Sequence, residues 1–251
     1  MGEIHFNEQK QFTNSYILPY FEAHLPEFRN MKILEVGCAE AGFLDVLYEM
    51  KIEATGLELE QGRVDIALKN SPNLNVMVGD ITDDKIVEKI GKSFDLILMR
   101  DVIEHIPDRI AAFKNLNKLL NKNGFLYITF PPRFSGFAGH QQNAKSILQF
   151  VPFLHLLPNF IIRLFGNLFD EKTELIEGII LNYRIGLTIG AFEKLYSQHQ
   201  FKSVVRELFL FRPVFKIRFN ITPRKFPNIP LLREFFAFGC EYLLQKTSDY
   251  T

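Results

Sequence analysis

The sequence predicts an α/β protein built on a doubly wound, mostly parallel sheet, and three observations predict it. Short apolar runs rich in Val, Ile, Leu and Phe recur through the first half, as buried parallel strands do. Helical patterns separate them, which implies right-handed crossovers. The first run, Ile33–Val36, enters a small-residue turn from Gly37 to Gly42 that opens a helix. Such a turn puts the ligand crevice at the carboxyl ends of the strands.

Residues 12–25 carry apolar positions at helical spacing, so residues 1–30 are read as a helical cover over the crevice. Strands follow at 33–36, 54–57, 74–78, 94–99 and 125–130. The helices between them fall at 43–50, 62–68, 84–90 and 109–120, with Asp83 or Asp84 and Asp108 as N-caps and Gly124 just beyond the last. Farther on, 189–200 reads as the last sheet-covering helix, Phe201–Phe211 as strand six and 235–245 as strand seven, inserted antiparallel. The expected sheet is seven-stranded, with residues 133–190 forming a helical cap inserted after strand five.

With 251 residues and 47% hydrophobic content, the chain suffices for a single domain spanning 1–251. Lys+Arg and Asp+Glu are equal at 29 each, which disfavours nucleic acid as a partner. The only cysteines, Cys38 and Cys240, lie far apart, and the chain starts without a basic, apolar signal peptide. A reduced, cytoplasmic setting is expected. The six histidines and two cysteines show no zinc-like spacing, so no metal is expected.

Charge narrows the ligand. Glycine turns and helix N-termini attract anions, yet Glu58 and Asp80 end the next two strands, and the turn itself holds no Lys or Arg. Pyrophosphate beside Glu35 and Glu40 would be repelled, and the G-x-G-x-x-G pattern of nicotinamide dinucleotide folds is absent. A ligand with hydroxyls, an exocyclic amine and positive charge suits these acids; S-adenosylmethionine has all three. Glu58 can accept from both ribose hydroxyls, Asp80 from the adenine amino group, and Gly37 lets the methionine part approach the backbone.

Four elements in order carry a resemblance: ILEVGCAEAGFL, GLELE ending at Glu58, VGDI around Asp80, and FDLILMRDVIEHIPD from Phe94 to Asp108. Over residues 5–132 and the carboxyl-terminal strands, the chain resembles class I S-adenosylmethionine-dependent methyltransferases, especially the ubiquinone/menaquinone-biosynthesis-like branch. The resemblance implies a Rossmann-like fold, S-adenosyl-L-methionine as cofactor and S-adenosyl-L-homocysteine as product. The expected cofactor set is Glu35, Gly37, Cys38, Gly42, Phe43, Glu58, Leu59, Asp80, Ile81 and Arg100. Ala39 and Ala41 stand where the family's loop places glycines. Alanine at positive φ costs on the order of 1 kcal/mol, which predicts a slightly different loop path.

Methyl transfer from a sulfonium is an in-line displacement in which positioning supplies much of the rate. If the acceptor is a hydroxyl, a base helps, and histidine has the appropriate pKa. His105 follows strand four and is read as a base or as a helix-packing residue. His140 lies in the post-strand loop Pro131 to Gln142, a pocket wall or lid, and is read as a base or as a solvated loop residue. His155, among apolar neighbours, reads as packed.

Residues 147–169 are the most hydrophobic stretch, but Pro152 and Pro158 interrupt it and polar residues punctuate it, so it is not a membrane span. It is read as a cap over the active site, with a homodimer interface and a peripheral membrane anchor as the other readings. Arg212, Lys216, Arg218, Arg224, Lys225 and Arg233 alternate with Phe215, Phe219 and Phe226 without acids. This ribbon reads as solvated charges over packed rings, or as a surface for an acidic or lipid-linked acceptor. Tyr183 and Arg184 are further pocket candidates. The reading is methyl transfer to a small-molecule acceptor, O-methylation first, with a non-catalytic nucleoside-binding scaffold as the alternative.

Overall fold

The computed structural model describes residues 2–247. Helices α1 (Gly2–Phe12) and α2 (Leu18–His24) are joined by a π-helical turn, Thr13–Ile17. The alternating half then runs β1 (Ile33–Val36), α3 (Gly42–Glu49), β2 (Ala54–Glu58), α4 (Gln61–Asn70), β3 (Val76–Val78), α5 (Ile86–Ile90), β4 (Phe94–Arg100), α6 (Arg109–Leu119) and β5 (Leu120–Phe130). Short 3-10 turns lead to α7 (Asn159–Leu168), α8 (Thr173–Ile185) and α9 (Ile189–Gln198). The chain continues through β6 (Phe201–Phe211), α10 (Phe215–Phe219), β7 (Arg224–Lys225), α11 (Leu232–Phe236) and β8 (Gly239–Lys246).

The strands form one sheet in the order β3-β2-β1-β4-β5-β8-β6-β7. Pairing is parallel from β3 to β5, and β8 inserts antiparallel between β5 and β6. All seven expected strands are present; the eighth, β7, is a two-residue antiparallel edge on β6. Strand order reverses between β1 and β4, so the crevice falls at their carboxyl ends.

Alternation along each strand sends residues to opposite faces. Leu34, Val36, Ile97, Met99, Leu126 and Ile128 meet Phe113, Leu116 and Phe192 from α6 and α9 on one face. Ile33, Leu96, Leu98 and Tyr127 meet Ile17, Phe21, Phe43 and Leu47 from the N-terminal helices and α3 on the other. Within 133–190 a smaller core of Leu148, Leu154, Ile162, Ile176, Ile179 and Ile180 stands apart.

Several boundaries differ for local reasons. Asp108 caps α6, accepting from Ala111 N at 2.9 Å, but Asp83 accepts from Lys85 N, ahead of α5, and forms an Asx turn instead of a cap. Residues 120–124 join β5 through a bulge, pinned by Asn121 Nδ2 donating to Asp95 at 2.7 Å. Residues 235 and 236 are helical because the Glu234 carboxylate accepts from Ile189 N and Gly190 N, tying α11 to the start of α9.

Candidate active site

The turn after β1 is shaped by backbone conformation. Gly37 has φ +72°, and a Cβ there would lie 2.3 Å from Cγ2 of Val102, so only glycine fits. Ala39 and Ala41 take the left-handed conformation too, at φ 51° and 62°. The expected detour is thereby corrected: the loop keeps a glycine-type path, and the alanines carry the strain. Cys38 is fully buried with Sγ facing Gly56, and burial raises its thiol pKa. Its main chain is engaged as well: the N–H donates to Leu57 O at 3.3 Å, and the carbonyl accepts from Ala41 N at 2.9 Å and from Gln9 Nε2 at 3.4 Å.

Glu35, 1% exposed, receives Arg100 Nε at 2.9 Å and Arg100 Nη2 on the same oxygen. Its other oxygen is buried without a partner. Burial raises its carboxyl pKa against the pull of Arg100. The Arg100 guanidinium lies 5.1 Å from the centre of the buried Phe43 ring, a cation–π contact.

Glu58 is more committed than expected. Oε2 accepts from Ala39 N at 2.8 Å, and Oε1 from Leu59 N and Glu60 N at 2.9 and 3.1 Å. A carboxylate has about four acceptor positions, so the pair of ribose bonds expected from sequence has room for one in this conformation. The Leu59 side chain is exposed beside it. Asp80 Oδ1 accepts from Thr82 N and Oγ1, both at 2.8 Å, and among the described residues Oδ2 makes no hydrogen bond. Buried Asn115 fixes this loop by donating to the Ile81 and Asp83 carbonyls, each at 2.9 Å. Ile81 itself packs in the core.

The structure brings the two histidine candidates together: the His105 and His140 ring centroids are 4.9 Å apart. Burial lowers both pKa values, and for His140, with the His105 ring adding to the effect, to about 4. His140 Nε2 is buried without a partner. Beside them Glu104 is 5% exposed with both carboxyl oxygens unpartnered; burial, then the Asp101 charge, pushes its pKa far up. Donor atoms of Glu104, His105 and His140 lie within 4.8 Å of one another, so this trio could hold a cation. The expectation of no metal rested on spacing along the chain, which does not reveal donors from two segments.

Asp101 (φ 54°) faces Arg212, whose Nη2 donates to both carboxyl oxygens at 2.6 Å. Burial works against that carboxylate, but Arg212 and Thr129 hold its pKa below the usual value. Arg109 links the turn after β4 to the end of α8, donating to the Ile103 carbonyl at 3.0 Å, to Glu104 O at 3.2 Å and to Ile185 O. His155 is packed as expected, its ring bonded to Arg133 O at 3.0 Å. Tyr183 stacks on the Arg133 guanidinium, whereas Arg184 makes no such contact.

Sequence reasoning missed how closely α1 sits on the loop. His5 pairs with Glu40, Lys10 with Asp45, and Gln9 Oε1 accepts from Gly42 N at 2.9 Å. A Cβ on Gly42 would be 2.3 Å from Phe6 O. The basic ribbon is largely spoken for: Arg212, Arg218, Lys225 and Arg233 pair with Asp101, Glu8, Glu207 and Glu193, and Lys216 bonds Asn220. An acidic acceptor drawn by that ribbon loses its support. Among the described residues no single helix is long and apolar enough to cross a membrane; α8 and α9 pass such a test only as a pair bent by 54°.

The unpartnered Glu35 oxygen, the cradle at Gly37 and the open Asp80 oxygen fit a cationic nucleoside such as S-adenosylmethionine. Comparison with known proteins agrees. A methyltransferase domain model matches residues 8–171. An uncharacterized protein of Rickettsia prowazekii is 36% identical over 132 residues, 47% of this chain and 23% of its own length. A ubiquinone biosynthesis O-methyltransferase of Pelagibacter ubique is 23% identical over 125 residues, 49% of this chain and 52% of that protein. The chain thus spans at most about half the length of these two relatives. The solved magnesium protoporphyrin IX methyltransferase of Synechocystis PCC 6803, crystallised with S-adenosylhomocysteine, superposes with a TM-score of 0.54 at 13% identity, covering 96% of this chain and 84% of that one. The chain belongs to the methyltransferase domain family.

Proposed function

We propose that the enzyme methylates an oxygen of a small-molecule acceptor, with His140 taking the acceptor's proton and His105 holding the His140 ring. One observation carries this reading: two histidines, both with lowered pKa values, meet where β4 and β5 deliver their following loops. A neutral imidazole is a competent base at physiological pH. The distant likeness to ubiquinone O-methyltransferases supports oxygen as the receiving atom.

S-adenosylmethionine, when bound, supplies an electrophilic methyl group on a sulfonium. Around it Glu35 accepts from the ammonium, Gly37 allows close backbone approach, Glu58 accepts from ribose and Asp80 from the adenine amine. Residues 133–190 act as the substrate cap, with the 133–140 loop carrying His140 and shielding the reacting atoms from water.

The test is a pair of variants read by calorimetry and by transfer of labelled methyl to a panel of phenols, carboxylic acids and amines. Asp80→Ala weakens S-adenosylhomocysteine binding; His140→Ala leaves binding unchanged and slows transfer. Equal loss of binding in both variants overturns the assignment. A second reading, an acceptor carrying a lipid, is favoured by Phe160, Leu164 and Leu168, exposed at 70%, 59% and 70% along one side of α7. Failure of the protein to float with liposomes removes it.

A further inference from the structure

Arg133 lies just beyond β5, in the loop that leads to His140. Its main chain is clamped: the N–H donates to Leu187 O at 2.8 Å, and the His155 ring bonds its carbonyl at 3.0 Å. The side chain is half-buried, with the guanidinium carbon 4.5 Å from the centre of the Tyr183 ring and 5.6 Å from that of Phe134. Yet among the described residues its N–H groups meet no acceptor, and Nε is buried without a partner. The other arginines that donate to no protein acceptor, Arg184 and Arg224, are exposed, so water satisfies them.

This unpaired cation adjoins the two histidines. His155, bonded to Arg133 O, packs on Gly139, where a Cβ would lie 2.5 Å from that of His155, and Gly139 precedes His140. Asn182, next to Tyr183 on α8, donates to Gly139 O at 3.2 Å. From the other side Arg109 bonds the Ile103 and Glu104 carbonyls ahead of His105 and the Ile185 carbonyl beyond Tyr183. The two guanidinium charges oppose each other: burial lowers the Arg109 pKa, and Arg133 adds to the effect. Carboxylates do not balance this pair. Asp101 is taken by Arg212, and Glu104, whose ionised form burial disfavours, forms no ion pair with Arg109 or Arg133. His105 is exposed, and Arg133 and Tyr183 are half-buried, so this corner is open to a ligand.

We propose that Arg133 anchors the acceptor by a carboxylate, so that the substrates are hydroxylated aromatic acids; the inference rests on the reading of His105 and His140 as the site of transfer. A guanidinium stays charged and presents a planar fork that a carboxylate matches. Contact with the Tyr183 ring holds that fork and leaves its N–H groups for a ligand. An anion compensates the half-buried charge, which a neutral or cationic acceptor does not. Tyr183 and Phe134, the latter stacked on Phe235 at 5.5 Å, offer the flat apolar surface that an aromatic body covers.

The test titrates 4-hydroxycinnamate and, as its neutral counterpart, 4-hydroxycinnamamide into the full chain saturated with S-adenosylhomocysteine, read calorimetrically. The acid is expected to bind roughly tenfold or more tightly than the amide. Arg133→Met, which keeps an apolar stem, abolishes that preference, whereas Arg224→Met, which removes an exposed charge from the ribbon, leaves it whole. S-adenosylhomocysteine affinity and the thermal midpoint, read on each variant, report that the fold is intact. Because binding is read without turnover, His140→Ala keeps the preference even where His140 is not the base, which separates this inference from the reading it rests on. Equal binding of acid and amide, binding of neither, or a preference that survives Arg133→Met overturns the proposal.

Discussion

The rings of His105 and His140 stand 4.9 Å apart and tilted by 59°, although one follows β4 and the other follows β5. Burial lowers both pKa values; the charge of His105 adds to the effect on His140, and that of Arg109 to the effect on His105. Holding them together requires the turn at Asp101 and the loop at His140 to adopt left-handed backbone, φ 54° and 61°. Such strained positions are over-determined by their surroundings, here the Arg212 pair and the buried Gln141, which donates to Gly136 O at 2.6 Å.

If His140 is the base, its low pKa of about 4 sets the acid limb of activity. Methyl transfer stays level as pH falls through 6.5, the ordinary histidine midpoint, and declines only toward pH 4. A pH–rate profile under saturating donor checks this, and a midpoint near 6.5 rules out His140 in that role.

The same shift governs stability. The unfolded His140 takes up a proton near pH 6.5 and the folded one near 4, so the unfolded state binds more protons between them. Its contribution, on the order of 3 kcal/mol, is fully present above pH 6.5 and is lost as pH falls toward 4. His140→Gln flattens that acid-side loss in urea titrations at pH 4.5 and 7.

Glu241 acts in the opposite direction. Burial raises its pKa from 4.5 to about 7, so the folded state holds a proton that the unfolded state has released. Stability from this group is full below pH 4.5 and is lost as pH rises to 7, a change on the order of 3 kcal/mol. Glu241→Gln makes the enzyme more stable than wild type at pH 8, with little difference at pH 4.5, by thermal unfolding.

Two small substitutions in the loop after β1 have opposite outcomes. Ala39→Gly relieves a left-handed alanine and stabilises by roughly 0.5 to 1 kcal/mol, a rise of about 1 to 4 °C in Tm. Gly37→Ala drives a methyl group into Val102 at φ +72° and destabilises by about 2 kcal/mol or more, with loss of S-adenosylhomocysteine binding.

Asn115→Ala removes the amide that holds the Ile81 and Asp83 carbonyls. Leaving those acceptors without their donor costs about 1 to 3 kcal/mol. The larger expected signal is weaker cofactor binding through the displaced Asp80 loop, measured by calorimetry, with no change in the His140 pH limb.

What was legible in the sequence was local. Ile33–Val36 and its turn, the cap from Asp108 and the alternation up to Phe130 follow from neighbouring residues, and each is where its pattern puts it. Contacts between distant segments were not legible. Nothing adjacent to Asp101 announces Arg212, and nothing near Tyr16 announces Glu241, because those pairs form only when β6 and β8 join the sheet. The basic ribbon looked unopposed for the same reason, its carboxylates being supplied by the turn after β4, by β6, by α9 and by the N-terminal helix. Glu58 was recognised as an acceptor, but its main-chain donors depend on the path that Ala39 takes.

The position of β8 also bears on the order in which the chain is assembled. On a ribosome, residues 33–130 can pair with one another as they emerge, since β1 to β5 complete five adjacent strands. Strand β6 emerges next with no place on that sheet, because its neighbour, residues 239–246, has not been synthesised. Until then an eleven-residue strand is matched only by the two residues of β7, and the outer edge of β5 stays unpaired. The nascent enzyme thus passes through an interval in which two sticky strand edges await one late segment, when misassociation between neighbouring nascent chains is favoured most.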